Sequence, residues 1–371
     1  NDFEFIRRVY LDVTGLLPTV EVVRDFVASE LTDKRDRLID SLVGTTEFAE
    51  QWAWFWGDLF RLTGPTGKGK NAFHYWNKEW LRVDRPYTDV VTDLLTGVAK
   101  SHSTIPQLGV LARSYSGTNQ LPSTPDDYAQ LNRLDSIDDM NVDVTRLFLG
   151  INISCISCHD GAGHLEPINL YLSRKTRQEF FRQAAFLGNI RMIAAWDERS
   201  RNNSGSDMVF DEMAEGYDTG YDAPWIADSI TKYPRYGGKY QPAFILTGEE
   251  PSANADPREE FARMITTHPQ FRRALVNLLW GRLMTLAFVE PYDSFDLDRL
   301  DPDNPPPAPW TIQAIYPELL EALAENFGTN NHSVQHIIRT IMKSSAYQLS
   351  SQFNGEWKDS YAPYYARKLI R

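Results

Sequence analysis

The chain has 371 residues, which is long for a single compact core and favours two domains. Its apolar content of 42% and aromatic content of 12% exclude a disordered chain. Its formal net charge of −12 argues against a nucleic-acid-binding protein and against docking on anionic lipid through a basic patch.

Apolar residues at helical spacing predict that the first half of the chain is mostly helical. The predicted helices lie before Gly15, after Thr19, and at 33–43, 46–62, 86–95 and 138–148. The fourth of these carries a stripe of aromatic residues, which we interpret as a core face rather than as the wall of a cofactor site. Residues 64–70 and 101–128 are rich in Gly, Ser, Thr or Pro and are predicted to be loops.

The second half begins with an irregular stretch. Thr176 and Glu179 have the spacing of a capping box and predict the start of a helix. From about 202 to 255, Gly, Tyr, Asp and Pro replace the helical pattern, and only the segments MVFDE and PAFIL suggest minor strands. Asp256 followed by Pro257 then predicts that a helical pattern resumes.

Three further helices are predicted near the C-terminal end, at 268–289, 317–327 and 333–344. A membrane-spanning helix needs roughly 18 to 20 apolar residues in a row. The longest apolar run, 274–289, is interrupted by Asn277, Gly281 and Arg282. We therefore expect no transmembrane segment in this chain.

The most specific pattern is the pentapeptide Cys155-Ile156-Ser157-Cys158-His159, which holds both cysteines of the chain. C-x-x-C-H is the attachment motif of c-type haem. Two thiols at this spacing can each add to one of two porphyrin vinyl groups, and the histidine can ligate the iron. A thioredoxin-like site needs a βαβ context and a structural zinc site needs four ligands, and the sequence supplies neither. We expect one covalent haem c, held by Cys155 and Cys158, with His159 as the proximal ligand.

The sixth ligand decides the chemistry, because a filled position favours electron transfer and an open position allows small molecules to bind. The candidates are Met192, Met208 and Met213 downstream, Met140, His74 and His102 upstream, and His164 beside the motif. The five residues from His159 to His164 extend at most about 17 Å, which is barely enough to pass round the porphyrin edge. We therefore favour His164 as a loop histidine bonded to a propionate or to the backbone. An open or water-bound position is the remaining alternative.

Three parts of the chain resemble one known family. They are FEFIRRVYLDVTGLLPTVEVVRDFV, RLFLGINISCISCHD, and FRRALVNLLWGRLMTLAFVEP with YPELLEALAENFGTNNHSVQHIIRTIMKSSAYQLSS. In these parts the chain resembles the planctomycete-type cytochrome family, which pairs an N-terminal haem-motif domain with a C-terminal helical domain, both of unknown function. The resemblance implies thioether bonds at Cys155 and Cys158, axial ligation by His159, export and a redox setting. Many members carry a second histidine two residues after the haem histidine, where this chain has Gly161, and its next histidine is His164.

These observations predict a mainly α fold in three parts. A helical c-type cytochrome domain is expected at 1–200, an irregular connecting region at 201–255, and a helical docking domain at 256–371. Apolar stripes in the last part predict that it folds without haem.

The expected function is outer-sphere electron transfer by an extracytoplasmic, bacterial monohaem cytochrome c. The chain is several times larger than a small haem carrier, so we expect it to be a subunit of a membrane-bound redox complex, respiratory or photosynthetic. Bacteria attach haem c outside the cytoplasm, which places the protein in the periplasm or on the outer face of the membrane. The alternatives are a peroxidase-like haem enzyme with an open distal site, and a structural subunit with an incidental haem.

Overall fold

A computed structural model describes residues 1–60, 69–97, 126–197, 202–210, 216–218 and 238–369, which form a mainly helical protein. The helices before residue 190 are α1 (Asp2–Thr14), α2 (Val20–Ala28), α3 (Lys34–Leu42), α4 (Thr46–Leu59), α5 (Gly69–Arg82), α6 (Tyr87–Thr96), α7 (Asp126–Leu149), α8 (Leu170–Ser173) and α9 (Arg177–Ala184). The later helices are α10 (Pro257–Thr267), α11 (Pro269–Met284), α12 (Pro317–Thr329), α13 (Val334–Lys343) and α14 (Ser345–Gln348). Short 3₁₀ helices lie at Cys155–Ser157, Ala185–Leu187, Leu297–Arg299 and Asp359–Tyr364. None of the helices in the described ranges is long and apolar enough to cross a membrane.

Two helix starts show how local sequence sets the helix boundaries. The Thr176 hydroxyl accepts a hydrogen bond from Glu179 N (3.3 Å), and the Glu179 carboxylate accepts one from Thr176 N (2.8 Å). These two bonds confirm the predicted capping box at the start of α9. Asp256 accepts a hydrogen bond from Arg258 N (2.8 Å), and Pro257 is the first residue of α10.

Some helix boundaries differ from the prediction. The helix predicted at 268–289 ends at Met284, where Thr285 adopts a left-handed conformation with φ 80°. The helix predicted at 138–148 begins earlier, at Asp126, and so includes the last residues of the predicted loop at 101–128. The rest of that loop lies outside the described residues.

In other places the type of secondary structure differs from the predicted one. The helix α5 is not among the predicted helices. The last two residues of the predicted loop at 64–70 belong to this helix, and the first five lie outside the described residues. The segment PAFIL at 242–246 is not a strand, because Ile245 N donates to the buried side chain of Gln183 (3.1 Å) instead of pairing with another strand. The first three residues of MVFDE end a real strand, and the other two lie outside the described residues.

That strand belongs to the β-hairpin of β1 (Ile190–Asp197) and β2 (Asn202–Phe210). The two strands are antiparallel, and their register pairs Met192 with Met208. Two methionines that are 16 positions apart in sequence are therefore cross-strand neighbours on the backbone.

One hydrophobic cluster joins the two halves of the described chain. Tyr87 at the start of α6 stacks on Phe271 of α11, with ring centroids 5.4 Å apart. Phe186, just after α9, stacks on Phe261 of α10 at 4.9 Å. Because all four side chains are buried, separating the halves would expose aromatic surface on both.

Hydrogen bonds also cross between the halves. The guanidinium of Arg258, 2% exposed, donates to the carbonyls of Leu95, Thr96 and Gly97 at the end of α6. A cation at this position complements the helix dipole and satisfies carbonyls that the helix leaves unpaired. Burial lowers the pKa of Arg258 to about 10, so the side chain remains charged at neutral pH.

The predicted domain boundaries at 200/201 and 255/256 stay predictions, but the packing favours one shared core. Part of the predicted connecting region is itself in that core. Tyr217 is buried and donates its hydroxyl to Asp138 of α7 (2.5 Å), and Tyr171 donates to Ile245 O (3.1 Å). We therefore expect 256–371 to depend on the rest of the chain for folding.

Candidate haem-attachment site

The chain leaves α7 and enters the motif through a tight turn at Gly150. This residue has φ +65°, and a Cβ atom on it would lie 2.8 Å from the ring of Phe295. Both the conformation and the space therefore require glycine. Phe295 N donates to Gly150 O (2.9 Å), and Ile151 pairs with Ser294 in an antiparallel bridge. The C-terminal half thus holds the start of the motif.

The cysteines lie at either end of one turn. Cys155–Ser157 form a 3₁₀ helix, and the amides of Cys158 and His159 both donate to Cys155 O, at 3.2 and 3.4 Å. Ile156 and Ser157 are buried, whereas both cysteines are exposed and free. Side chains three positions apart in a 3₁₀ helix lie on the same side. The motif therefore presents two thiols together at the surface.

A backbone carbonyl orients the ring of His159. Its Nδ1 lies 2.7 Å from the carbonyl oxygen of Asp160. A carbonyl can only accept, so Nδ1 carries the proton and Nε2 is the nitrogen that can bind a metal. Metal-binding histidines almost always donate their second ring N–H to such an acceptor. The two exposed thiols and this imidazole therefore fit a covalently held haem c.

The turn after His159 is fixed by Asp160 and Arg177. The Asp160 carboxylate accepts from Arg177 N (2.8 Å) in the first turn of α9, where the helix dipole favours a negative charge. The Arg177 side chain in turn donates to Ser157 O (3.2 Å) and lies over the ring of Phe181 (5.0 Å). This pair ties the residues on both sides of His159 to one helix.

Gly161 lies directly against the end of α8. Its amide donates to Lys175 O (2.8 Å), and a Cβ atom on it would lie only 1.9 Å from Leu172 O and 2.8 Å from Ser173 Cα. No side chain fits this space. A histidine at position 161, as in many members of the family that the sequence resembles, would require α8 to move.

His164 lies beside His159. Its ring centroid is 4.5 Å from that of His159, the ring planes are tilted by 48°, and its amide donates to Gly161 O (3.1 Å). Two imidazoles on opposite sides of one metal, each bound at about 2 Å, have centroids about 6 Å apart. This arrangement favours the interpretation of His164 as a loop histidine, and His164 stays one of the candidates for the sixth ligand.

The candidate methionine ligands lie in different elements. Met140 is 2% exposed and belongs to α7, Met192 lies in β1, and Met208 lies opposite it in β2. Met213 lies outside the described residues. These positions do not select a thioether ligand, so all four stay candidates.

The two upstream histidines also stay candidates for the sixth ligand. His74 in α5 is hydrogen-bonded through Nε2 to Glu50 of α4 (3.0 Å), and His102 lies outside the described residues. In the part of the chain that the structure describes, no group of three or more His, Cys, Asp or Glu side chains is arranged to hold a metal ion. Neither placement identifies the sixth ligand.

Charged and polar groups shape the surface next to the motif. The exposed Glu166 carboxylate accepts from Gly163 N (2.6 Å), and this bond holds the pKa of Glu166 below its usual range. Burial raises the pKa of Tyr171 in α8. Burial also raises the pKa of Asp298, which is paired with Arg174 at the end of α8. The bond between Gly163 N and the Glu166 carboxylate stabilises the turn that carries His164.

The sequence shows the C-x-x-C-H motif directly, but it does not reveal the residues that hold this motif in place. Asp160 follows the motif directly, yet its partner Arg177 is 17 positions away and gives no local signal. The steric role of Gly161 was also missed, although the departure from the family pattern at that position marked it. Contacts of this kind depend on the tertiary fold, so spacing alone does not reveal them.

Two family matches cover most of the chain. PSCyt2, described as a protein of unknown function (DUF1549), matches residues 1–191, which is more than half of the chain. PSD1, described as a protein of unknown function (DUF1553), matches residues 257–371. No curated protein and no solved structure matches this chain. The two matches are consistent with a two-domain planctomycete-type family, and the chain belongs to the PSCyt2 family of proteins of unknown function.

Proposed function

We propose that this protein is a monohaem c-type cytochrome that transfers electrons outside the cytoplasm. Cys155 and Cys158 would hold one haem c through thioether bonds, and His159 would be the proximal ligand of the iron. When bound, the haem supplies an Fe(II)/Fe(III) couple that takes up and releases one electron.

The geometry of the motif is the observation that carries this proposal. Both thiols are exposed at the ends of one 3₁₀ turn, and the next residue keeps Nε2 available because Nδ1 donates to a carbonyl. In forming the thioethers, each S–H adds across one vinyl C=C bond, so that sulfur bonds to carbon and no atom leaves. A buried pair of thiols could not do this without opening the fold.

The chain's own residues would also tune the site. The Nδ1–H bond from His159 to Asp160 O would fix the tautomer and the ring plane of the imidazole. The exposure of Cys155 and Cys158 supports a haem edge that is open to a redox partner, which is what outer-sphere transfer requires.

The size of the protein supports a role inside a larger assembly. A single haem carrier needs far fewer than 371 residues, and 257–371 match a separate family. We propose that the chain is a subunit of a membrane-bound redox complex, respiratory or photosynthetic, at the periplasmic or outer face of a bacterial membrane. Export is implied because bacteria attach haem c outside the cytoplasm.

A spectroscopic experiment separates a carrier from a haem enzyme. In reduced protein matured with haem, we expect carbon monoxide to leave the low-spin spectrum unchanged, because both axial positions of a carrier are filled. We expect His159→Ala to abolish that spectrum, because the proximal ligand is lost. His164→Ala is the matched control, and it should preserve the spectrum because we interpret His164 as a loop histidine beside the proximal ligand. Rapid carbon monoxide binding to the unmodified protein would instead identify an enzyme with an open distal site.

A further inference from the structure

We propose that Asp296, from the segment matched to PSD1, is a positioning residue for the haem ligand His159. The inference rests on the proposed function for its effect on the iron, but its structural part concerns this chain alone. Asp296 is a buried carboxylate, 1% exposed, that lies far in sequence from the motif.

Asp296 holds the start of α8. Its two carboxylate oxygens accept hydrogen bonds from Leu170 N (2.8 Å) and Tyr171 N (3.0 Å), which are the first two residues of that helix. These amides have no partner within the helix. The carboxylate is itself positioned, because Asp296 N donates to the side chain of Gln313 (2.8 Å). Asp296 therefore binds α8 to the C-terminal half.

A second bond strengthens the same link. Asn169, the N-cap of α8, accepts from Leu172 N (2.9 Å) and donates through Nδ2 to Phe295 O (3.0 Å). The residue before Asp296 thus also contacts α8, and it contacts Gly150 at the entrance to the motif. Segment 295–296 therefore touches the chain both before and after the haem motif.

The other end of α8 contacts the turn that follows His159. Leu172 O lies so close to Gly161 that a Cβ atom there would be 1.9 Å away, and Gly161 N donates to Lys175 O (2.8 Å). Gly161 directly follows Asp160, whose carbonyl accepts the Nδ1–H of His159. A displacement of α8 would therefore move Gly161 and weaken the hydrogen bond that orients the imidazole.

The expected effect on the iron has a definite sign. A proximal histidine that donates a strong Nδ1 hydrogen bond is more basic and favours Fe(III), which lowers the reduction potential. Weakening that bond should raise the potential. Asp296→Asn tests this, because one acceptor oxygen becomes an NH₂ group that faces an amide N–H. Asn169→Ser is a milder second variant, which keeps a capping oxygen but loses the bond to Phe295.

The experiment combines two measurements on each variant. In the protein without haem, we measure hydrogen exchange in peptides covering 160–165 and 168–173. Protection should fall by about tenfold in both peptides, which corresponds to losing the net stabilisation of one hydrogen bond. In the haem-loaded protein, the midpoint potential should rise and the low-spin electron paramagnetic resonance signal should shift. The exposed Asp301→Asn variant removes the same charge from a nearby loop and should change neither measurement.

The outcomes separate this inference from the proposed function. Faster exchange confined to 168–173, with an unchanged potential in both variants, would overturn the positioning role and leave Asp296 as a cap of α8 only. If the unmodified protein takes up no haem, the proposed function fails. Hydrogen exchange at 160–165 in the haem-free protein then still decides whether Asp296 holds the turn.

Discussion

Expressed alone, residues 256–371 are expected to give a partly helical chain that does not unfold cooperatively. In the full protein, the buried ring of Phe271 stacks on Tyr87, and Gln335 donates to Leu81 O (2.8 Å). Arg258 would lose the three carbonyls of residues 95–97 that accept its guanidinium, together with the helix α6 that covers it. Without these partners, the apolar faces of α10, α11 and α13 would be exposed to water.

Circular dichroism and a thermal melt of the fragment measure this directly. We expect a broad, non-cooperative transition and binding of a hydrophobic dye. Co-expression with 1–255 is the control, and it should restore a single sharp transition. A cooperative melt of the isolated fragment would show that the two halves have separate cores, as the apolar stripes in the sequence suggest.

Gly161→Ala is expected to be the most damaging single substitution near the motif. The added methyl group would lie 1.9 Å from Leu172 O and 2.8 Å from Ser173 Cα, and both are backbone atoms that cannot rotate away. The turn after His159 or α8 must then move, which we expect to cost more than about 2 kcal/mol of unfolding free energy. Because the turn carries Asp160, haem attachment should fall as well.

Gly163→Ala is the matched control for this prediction. Gly163 has φ +81° but no atom within 4 Å of its added Cβ, so only the backbone conformation is strained. We expect a loss of about 1 kcal/mol and normal haem attachment. Chemical denaturation of both variants gives the comparison, and equal losses of stability would contradict the steric account of Gly161.

The helices with clear local signals are predictable from the sequence, and α13 shows why. Ser333 caps it, and the apolar stripe of Val334, Ile337 and Ile341 is buried as the spacing predicts. The helix α5 begins with Gly69 inside a Gly-rich segment, which obscures the helical spacing of its apolar residues Phe73, Trp76, Trp80 and Leu81. Its packing against α4, including a contact between Phe73 and Phe60 with centroids 5.8 Å apart, accounts for its stability.

The same distinction applies to the site. Cys155, Cys158 and His159 lie within five consecutive residues, so a local pattern is enough to predict haem attachment, which stays a prediction. The residues that hold them come from elsewhere in the chain, such as Arg177 in α9 and Asp296. Pairings that span 17 to 126 positions depend on the tertiary fold, and no local pattern encodes them.

Mass spectrometry of the denatured chain, after expression with the periplasmic machinery for haem c maturation, tests the central claim most directly. We predict a mass increase of one haem per chain, because the chain has a single C-x-x-C-H motif and both thiols are exposed. Replacing both Cys155 and Cys158 with Ala should abolish the increase. An unmodified mass for the native sequence, under conditions in which a known cytochrome c is matured, would contradict the proposal that this protein is a c-type cytochrome.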